Sequence, residues 1–204
     1  MSKVWLIFIF FHCTVALSQS ATASFFELSG PEKFWVITHF IKAKKAFKIT
    51  EEVLKKTDSV GKTGLLDGDV NGGQLDAFKH SYWMARLTTS IGKKAALRLG
   101  EAHEKGNYRD FKNSKKEDGW VPDKIASQMD LLNNSSGAML GSATYFTTDP
   151  ELIQVIADEI RAGNMKIIKK DREGNFLDCS GSRIPPEKMY GKWETPKCLV
   201  NSDD

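Results

Sequence analysis

An excess of charge of one sign is the plainest thing missing from this chain of 204 residues, in which 29 Lys and Arg stand against 26 Asp and Glu for a formal net charge of +3. The bases are interleaved with acids, as in Lys115-Lys116-Glu117-Asp118 and Lys169-Lys170-Asp171-Arg172-Glu173. That leaves no basic stripe of the kind that tracks a phosphate backbone, and no nucleic-acid partner is expected. No apolar run reaches the roughly 20 residues of a bilayer-spanning helix, so a stable membrane anchor is not expected either. No internal repeat is visible, and 41% hydrophobic with 27% charged residues excludes wholesale disorder, collagen-like repeats and a polytopic membrane protein. What remains is one ordinary globular domain.

The longest apolar run, Val4 to Leu17, follows Lys3 and precedes Ala21-Thr22-Ala23. A positive start, a short apolar segment and small residues at the cut are the marks of a secretory signal peptide. Residues 1–23 are therefore assigned to a signal peptide, and a cut after Ser18 fits the small-residue rule nearly as well. Phe10-Phe11-His12 stand before Cys13, where a lipoprotein would need small residues. The expected location is outside the cytoplasm, periplasmic or secreted. Export removes Cys13 and leaves Cys179 and Cys198, which can pair in one way and would tie down the C-terminal segment. No C-x-x-C spacing points to a thiol or metal role for them.

Apolar residues Phe34, Ile37, Phe40, Ile41 and Phe47 recur at three- and four-residue spacing between Pro31 and Thr57, which predicts an amphipathic helix. A glycine-rich stretch from Gly61 to Gly73 follows. Further helices are predicted from Gln74 to Ser90, from Lys93 after a stop at Gly92 to about Lys105, from Lys124 to about Thr144, and from Pro150 to Gly163. Residues 106–123 read as a polar surface loop. Then the period changes to two: Met165 to Lys170 and Phe176 to Cys179, around a turn at residues 171–175, predict a β-hairpin. The expected fold is mainly α, a bundle of about five helices with a small C-terminal β-hairpin. Residues 24–180 form that domain and residues 181–204 an irregular tail tied by the Cys179–Cys198 disulfide.

Chemistry concentrates on three of these helices. Asp76, His80, Trp83 and Leu87 stack at four-, three- and four-residue spacing. Leu99, Gly100 and His103 share a face, with Glu104 beside it and Glu101 about a quarter-turn away. Asp130, Asn133, Asn134, Gly137 and Gly141 form a polar stripe through the apolar set Met129, Leu132, Met139 and Leu140. The two glycines leave space for a ligand or for close helix packing. Imidazoles and carboxylates from separate helices are the raw material of a zinc or similar divalent-metal site, assigned to His80, His103 and Asp130. Glu101, Glu104 and His103 are the candidate acid–base groups, and Lys79, Trp83, Asn133 and Asn134 the candidate substrate contacts. H-E-x-x-H is absent, and the same residues also suit a buried hydrogen-bonded network. Separately, Asp67-Gly68-Asp69-Val70-Asn71-Gly72 matches the opening of a calcium loop through Asp67, Asp69 and Asn71. Phe78 stands where the closing bidentate Glu belongs, and a turn that caps the next helix is the competing reading.

At Asp76-Ala77-Phe78-Lys79-His80-Ser81-Tyr82-Trp83, Ala102-His103-Glu104 and Met129-Asp130-Leu131-Leu132-Asn133-Asn134-Ser135-Ser136-Gly137 the chain resembles a bacterial family of small helical domains. That family carries A-F-R-H-x-x-W, then A-H-E, then M-D-x-x-N-N-x-x-G, and occurs in exported proteins and at the ends of large toxin-like chains. Lys79 stands where the family carries Arg, which removes a bidentate anion contact. The resemblance covers roughly residues 65–175 and implies kinship and export rather than a reaction.

Two functions follow from these residues. One is an exported metal-dependent hydrolase acting on an ester or phosphodiester. The other is a secreted or envelope binding module in which the His, Asp and Asn cluster is structural. Export itself is directly measurable: intact mass of the protein recovered outside its native host's cytoplasm should give a chain starting at Gln19 or Ser24, and retention of Met1 in a membrane fraction would overturn the assignment.

Overall fold

The computed structural model describes residues 25–114, 121–143 and 148–204. The signal peptide assigned to residues 1–23 and the helix end at Thr144 lie outside the described residues. The architecture is mainly helical, with one small antiparallel sheet near the C-terminus.

Helix α1 (Gly30–Thr38) begins at a capping box. The Ser29 hydroxyl accepts from the Glu32 N–H, the Glu32 carboxylate accepts from the Ser29 N–H at 2.8 Å, and Pro31 fills the first turn. The expected single helix breaks at His39. The Thr38 hydroxyl donates back to the carbonyls of Phe34 and Trp35, the His39 N–H closes the last turn, and its ring stacks on Trp35 at 4.8 Å. Helix α2 (Phe40–Gly61) then starts afresh.

The break comes with a correction. Phe34, Ile37, Phe40, Ile41 and Phe47, expected on the buried face, are 44% to 81% exposed. Trp35, Ala46, Ile49, Val53 and Val60 are buried instead. Two apolar stripes run along α2, and the one with small and β-branched side chains packs closest to the core.

Helices α3 (Gln74–Ile91) and α4 (Lys93–Lys112) meet at Gly92, whose φ of 89° and ψ of 141° only glycine adopts without strain. Helix α3 is buried on most sides and forms the centre of the bundle. Arg86 ties it outward, to Glu52 of α2 at 3.0 Å and to Asp149 at 2.7 Å. Helix α4 runs a further two turns beyond its expected end near Lys105, because Tyr108 and Phe111 pack their rings on Trp193 at 4.8 and 5.3 Å.

Helix α5 (Lys124–Ser142) is capped by Asp123, which also pairs with Lys197 at 2.6 Å. Helix α6 (Asp149–Arg161) opens on a second capping box, Thr148 with Glu151. The polar stripe of α5 faces inward. Of the apolar set on that helix Met129 is buried, whereas Leu132 and Met139 face solvent at 46% and 57% exposure. The reason is contact between backbones: a Cβ on Gly137 would lie 2.2 Å from the Ser81 carbonyl oxygen, and one on Gly141 2.4 Å from that of Ala85. The glycines serve close helix packing.

Strand β1 (Lys166–Ile168) pairs antiparallel with β2 (Leu199–Asn201), Ile167 opposite Val200. The predicted partner, Phe176 to Cys179, makes isolated bridges only, Lys170 with Phe176 and Leu177 with Arg183. The chain does reverse at residues 171–175, where the Asp171 carboxylate accepts the N–H groups of Glu173 and Asn175. The later segment then bonds to both arms, Lys169 N–H to the Cys198 carbonyl and Cys198 N–H to that of Leu177. Cys179 and Cys198 form the expected disulfide, so the segment read as an irregular tail supplies a strand and a short 3-10 helix, Pro186–Lys188.

A methyl group at Gly137 tests the helix contact. Propensity alone makes Gly137→Ala stabilising by about 1 kcal/mol. With the Ser81 backbone in the way, urea unfolding should instead show a loss of roughly 1–3 kcal/mol. An unchanged or raised midpoint would refute backbone contact between α3 and α5.

Candidate functional site

Where α3 crosses α5, Asp76 and His80 sit one turn apart on α3 and meet Asp130 of α5. His80 Nε2 lies 3.2 Å from Asp130 Oδ1 and 3.6 Å from Asp76 Oδ1. Asp76 has further partners: its Oδ2 accepts the Gly72 N–H at 2.8 Å and its Oδ1 lies 3.0 Å from Lys79 Nζ. All three residues of the group are buried. Burial, followed by the charges of Lys79 and His103, holds the His80 pKa well below its ordinary value, and the Asn134 amide opposes this to a smaller extent. Burial thus favours the neutral imidazole, the form that ligates metals.

One donor atom from each of Asp76, His80 and Asp130 lies within 4.8 Å of the others, so the group could hold a metal ion. A second observation fits. His80 Nδ1 and both amide atoms of Asn134 are buried and make no well-aligned hydrogen bond, yet the Asn134 side chain is close enough to act on the imidazole. Were a metal held at Nε2, the proton would sit on Nδ1 and the Asn134 oxygen would be the acceptor that orients the histidine.

The sequence-derived set is thus divided. His80 and Asp130 come together, Asp76 joins them, and His103 lies outside the group. His103 Nδ1 instead lies 3.0 Å from Glu32 Oε1, with its ring edge-on to Trp83 at 5.8 Å. Burial alone raises the Glu32 pKa, but the bonds from His103 and Ser29 outweigh it and leave the carboxyl below its ordinary value. Glu32 was not among the sequence-derived candidates: the pattern Ser29-Gly30-Pro31-Glu32 is the signature of a capped helix start, and nothing in it identifies a partner across the bundle.

The remaining candidates separate into site and scaffold. Asn133 binds main chain on both sides, its amide donating to the Lys166 carbonyl and its oxygen accepting the Lys166 N–H, each at 2.9 Å. It fastens β1 to α5. Trp83 Nε1 donates to the Thr50 hydroxyl at 2.9 Å, which joins α3 to α2. Glu104 is buried and accepts from Asn107 at 3.1 Å, whereas Glu101 is exposed and 3.9 Å from Lys105. Both line a cleft of about 810 Å³ together with Lys105, Tyr108, Arg109, Lys112, Lys124, Ser127 and Trp193. Ser127 is one helical turn from Asp130. Helices α4 and α5 pack with Gly100 against Asn134, and Glu104 and Ser127 of the same two helices line the cleft, whereas Asp76, His80 and Asp130 do not.

The candidate calcium loop is otherwise engaged. Asp67 accepts the N–H groups of Asp69, Gln74 and Leu75, and Asp69 Oδ1 accepts that of Asn71. The Lys170 ammonium pairs with Asp69 Oδ2 and donates to the Asn71 carbonyl. A lysine side chain stands among the oxygens that would surround calcium, and the loop caps α3.

Residues 33–164 match the domain of unknown function DUF6973, so the chain belongs to that family. The matched span contains all three motifs quoted above. No curated protein and no solved structure matches the chain.

The Glu32–His103 pair yields a signed prediction. A carboxyl whose folded-state pKa is lowered contributes stability that is present above its ordinary value of 4.5 and lost as pH falls through the lower folded value. Glu32→Gln should flatten the decline of Tm between about pH 5 and pH 3. Thermal scans across that window giving the parental slope would refute the pairing.

Proposed function

We propose that this DUF6973 member is an exported, metal-dependent hydrolase acting on an anionic ester or phosphodiester. The observation that carries the reading is the buried Asp76–His80–Asp130 group, with the Asn134 amide beside its imidazole. One imidazole and two carboxylates suit zinc or a similar divalent ion. When bound, such an ion polarises the substrate oxygen and lowers the pKa of its water.

The residues of the chain supply the rest. Lys105, Arg109, Lys112 and Lys124 on the cleft favour a negatively charged substrate, although the whole chain is nearly neutral. Glu104, buried on the cleft wall one helical turn from the Gly100 that meets Asn134, is the better placed proton acceptor, and Glu101 is exposed. His103 is tied by Glu32 and acts as a neighbouring acid–base group. The disulfide is compatible with an oxidising compartment. A second reading keeps one observation in its favour: His80 Nε2 already lies 3.2 Å from Asp130 Oδ1, and a purely structural network in a binding module needs no more than such a pairing.

Metal content separates the two. Protein purified without chelator is expected to carry stoichiometric divalent metal by plasma mass spectrometry, and His80→Ala and Asp130→Asn to lose it. Asn134→Ala should weaken metal affinity by roughly 10- to 100-fold, and hydrolysis of a chromogenic phosphodiester should stop on chelation. Substoichiometric metal that His80→Ala leaves unchanged would sink the hydrolase and leave the network.

A further inference from the structure

We propose that the outer face of α1 and α2 docks on an anionic membrane surface. The inference is independent of the metal reading, because these residues lie on helices that do not contribute to the buried group. Phe26, Phe34, Ile37, Phe40, Ile41, Phe47 and Leu54 are all exposed large hydrophobics within the first two helices and their approach. An exposed apolar patch of this kind marks an interaction surface.

Helical geometry orders the patch. At 100° per residue Phe40, Phe47 and Leu54 fall within about 40° of one another, along about 21 Å of α2. Lys44, Lys48 and Lys55 lie beside that line, about 40° to 80° round the axis from Phe40. Phe34, Ile37, Phe40 and Ile41 gather at the break around His39. The opposite face of α2 is buried through Ala46, Ile49 and Val53. This is the arrangement of an interfacial helix, in which apolar side chains enter the acyl boundary and lysines reach the headgroups along their aliphatic stems.

Charge selects the partner. Helix α2 carries six lysines against Glu51, Glu52 and Asp58. Glu52 already pairs with Lys48 and Arg86, and Asp58 with Lys62. Lys44, Lys45, Lys55 and Lys56 form no ion pair among the described residues and remain for anionic lipid. A second copy of the chain fits worse. Two such faces would set lysine against lysine, and the Phe40, Phe47, Leu54 heptad lacks its companion seam, since Ala43 and Thr50 are half-buried and Thr57 is buried in the protein's own core.

Position along the chain agrees. Leu17, the end of the apolar run, precedes Phe25 by eight residues, at most about 28 Å of extended chain. Whenever Val4 to Leu17 occupies a bilayer, this face is held close to its surface. No helix among the described residues is long and apolar enough to cross a membrane, so the contact is with the surface.

The test places a tryptophan probe in the chain that starts at Ser24, the form assigned to the exported protein, at Phe47→Trp on the proposed face and at Leu132→Trp on the exposed side of α5. Each is mixed with vesicles of brominated phosphatidylglycerol or brominated phosphatidylcholine, and quenching is read against the parent chain. The added emission of Phe47→Trp should be quenched severalfold more by the anionic vesicles, and that of Leu132→Trp by neither. Adding Lys44→Gln, Lys48→Gln and Lys55→Gln to the Phe47→Trp chain should weaken the effect by roughly fivefold per lysine. Equal quenching of both probes, or none at Phe47→Trp, would overturn the proposal. A lipid-free shift of Phe47→Trp emission with protein concentration would overturn it in favour of a second copy.

Discussion

Backbone contact between α3 and α5 is the constraint on which the rest of the molecule depends. Helices usually pack 8–10 Å apart with side chains between them, but Gly137 and Gly141 leave nothing between α5 and the carbonyls of Ser81 and Ala85. Two turns from Gly137, the same approach brings a residue as short as Asp130 within 3.2 Å of His80. A longer separation would need Glu at that position and would lose the definition that a short side chain gives. The polar stripe is inside because the glycines are inside. The apolar residues Leu132 and Met139 are outside for the same reason.

Once the helices meet so closely, charge has to be arranged around them. Two carboxylates taken out of water are costly unless paired or hydrogen-bonded. Asp76 divides its oxygens between the Gly72 N–H and the Lys79 ammonium, and both acids face the His80 imidazole. Lys79 thus has a local role that its position in the resembling motif did not suggest. The ammonium partly offsets the two negative charges and at the same time disfavours a proton on His80.

Much of the fold was legible because its signals are local. Gly92 announces a stop, Thr148-Asp149-Pro150 a start, and with Cys13 set apart in the N-terminal apolar run the other two cysteines have one way to pair. His80 and Asp130 were legible as inward-facing polar residues on separate helices. Less legible was anything decided by which of two faces turns inward. Helix α2 carries two apolar stripes, and spacing weighs them equally. The break at His39 depends on a ring stacked over Trp35 and on a hydroxyl turned back, neither of which alters the periodicity. Glu32 meets His103 across 71 positions, and nothing local encodes that. Strand β2 is three residues long, too short for alternation to register.

The last residues of the chain are fastened to its middle. Ser202 accepts from the Gln74 side chain through its carbonyl, across 128 positions, and donates its hydroxyl to Ile160. Lys197 holds Asp123 at the cap of α5, and Cys198 completes the covalent loop. Synthesis delivers a polypeptide from its N-terminus, so α3 emerges long before the segment that clamps its first turn. Topology therefore postpones the finished bundle until residue 202 is free, and makes the final step of assembly long-range and slow.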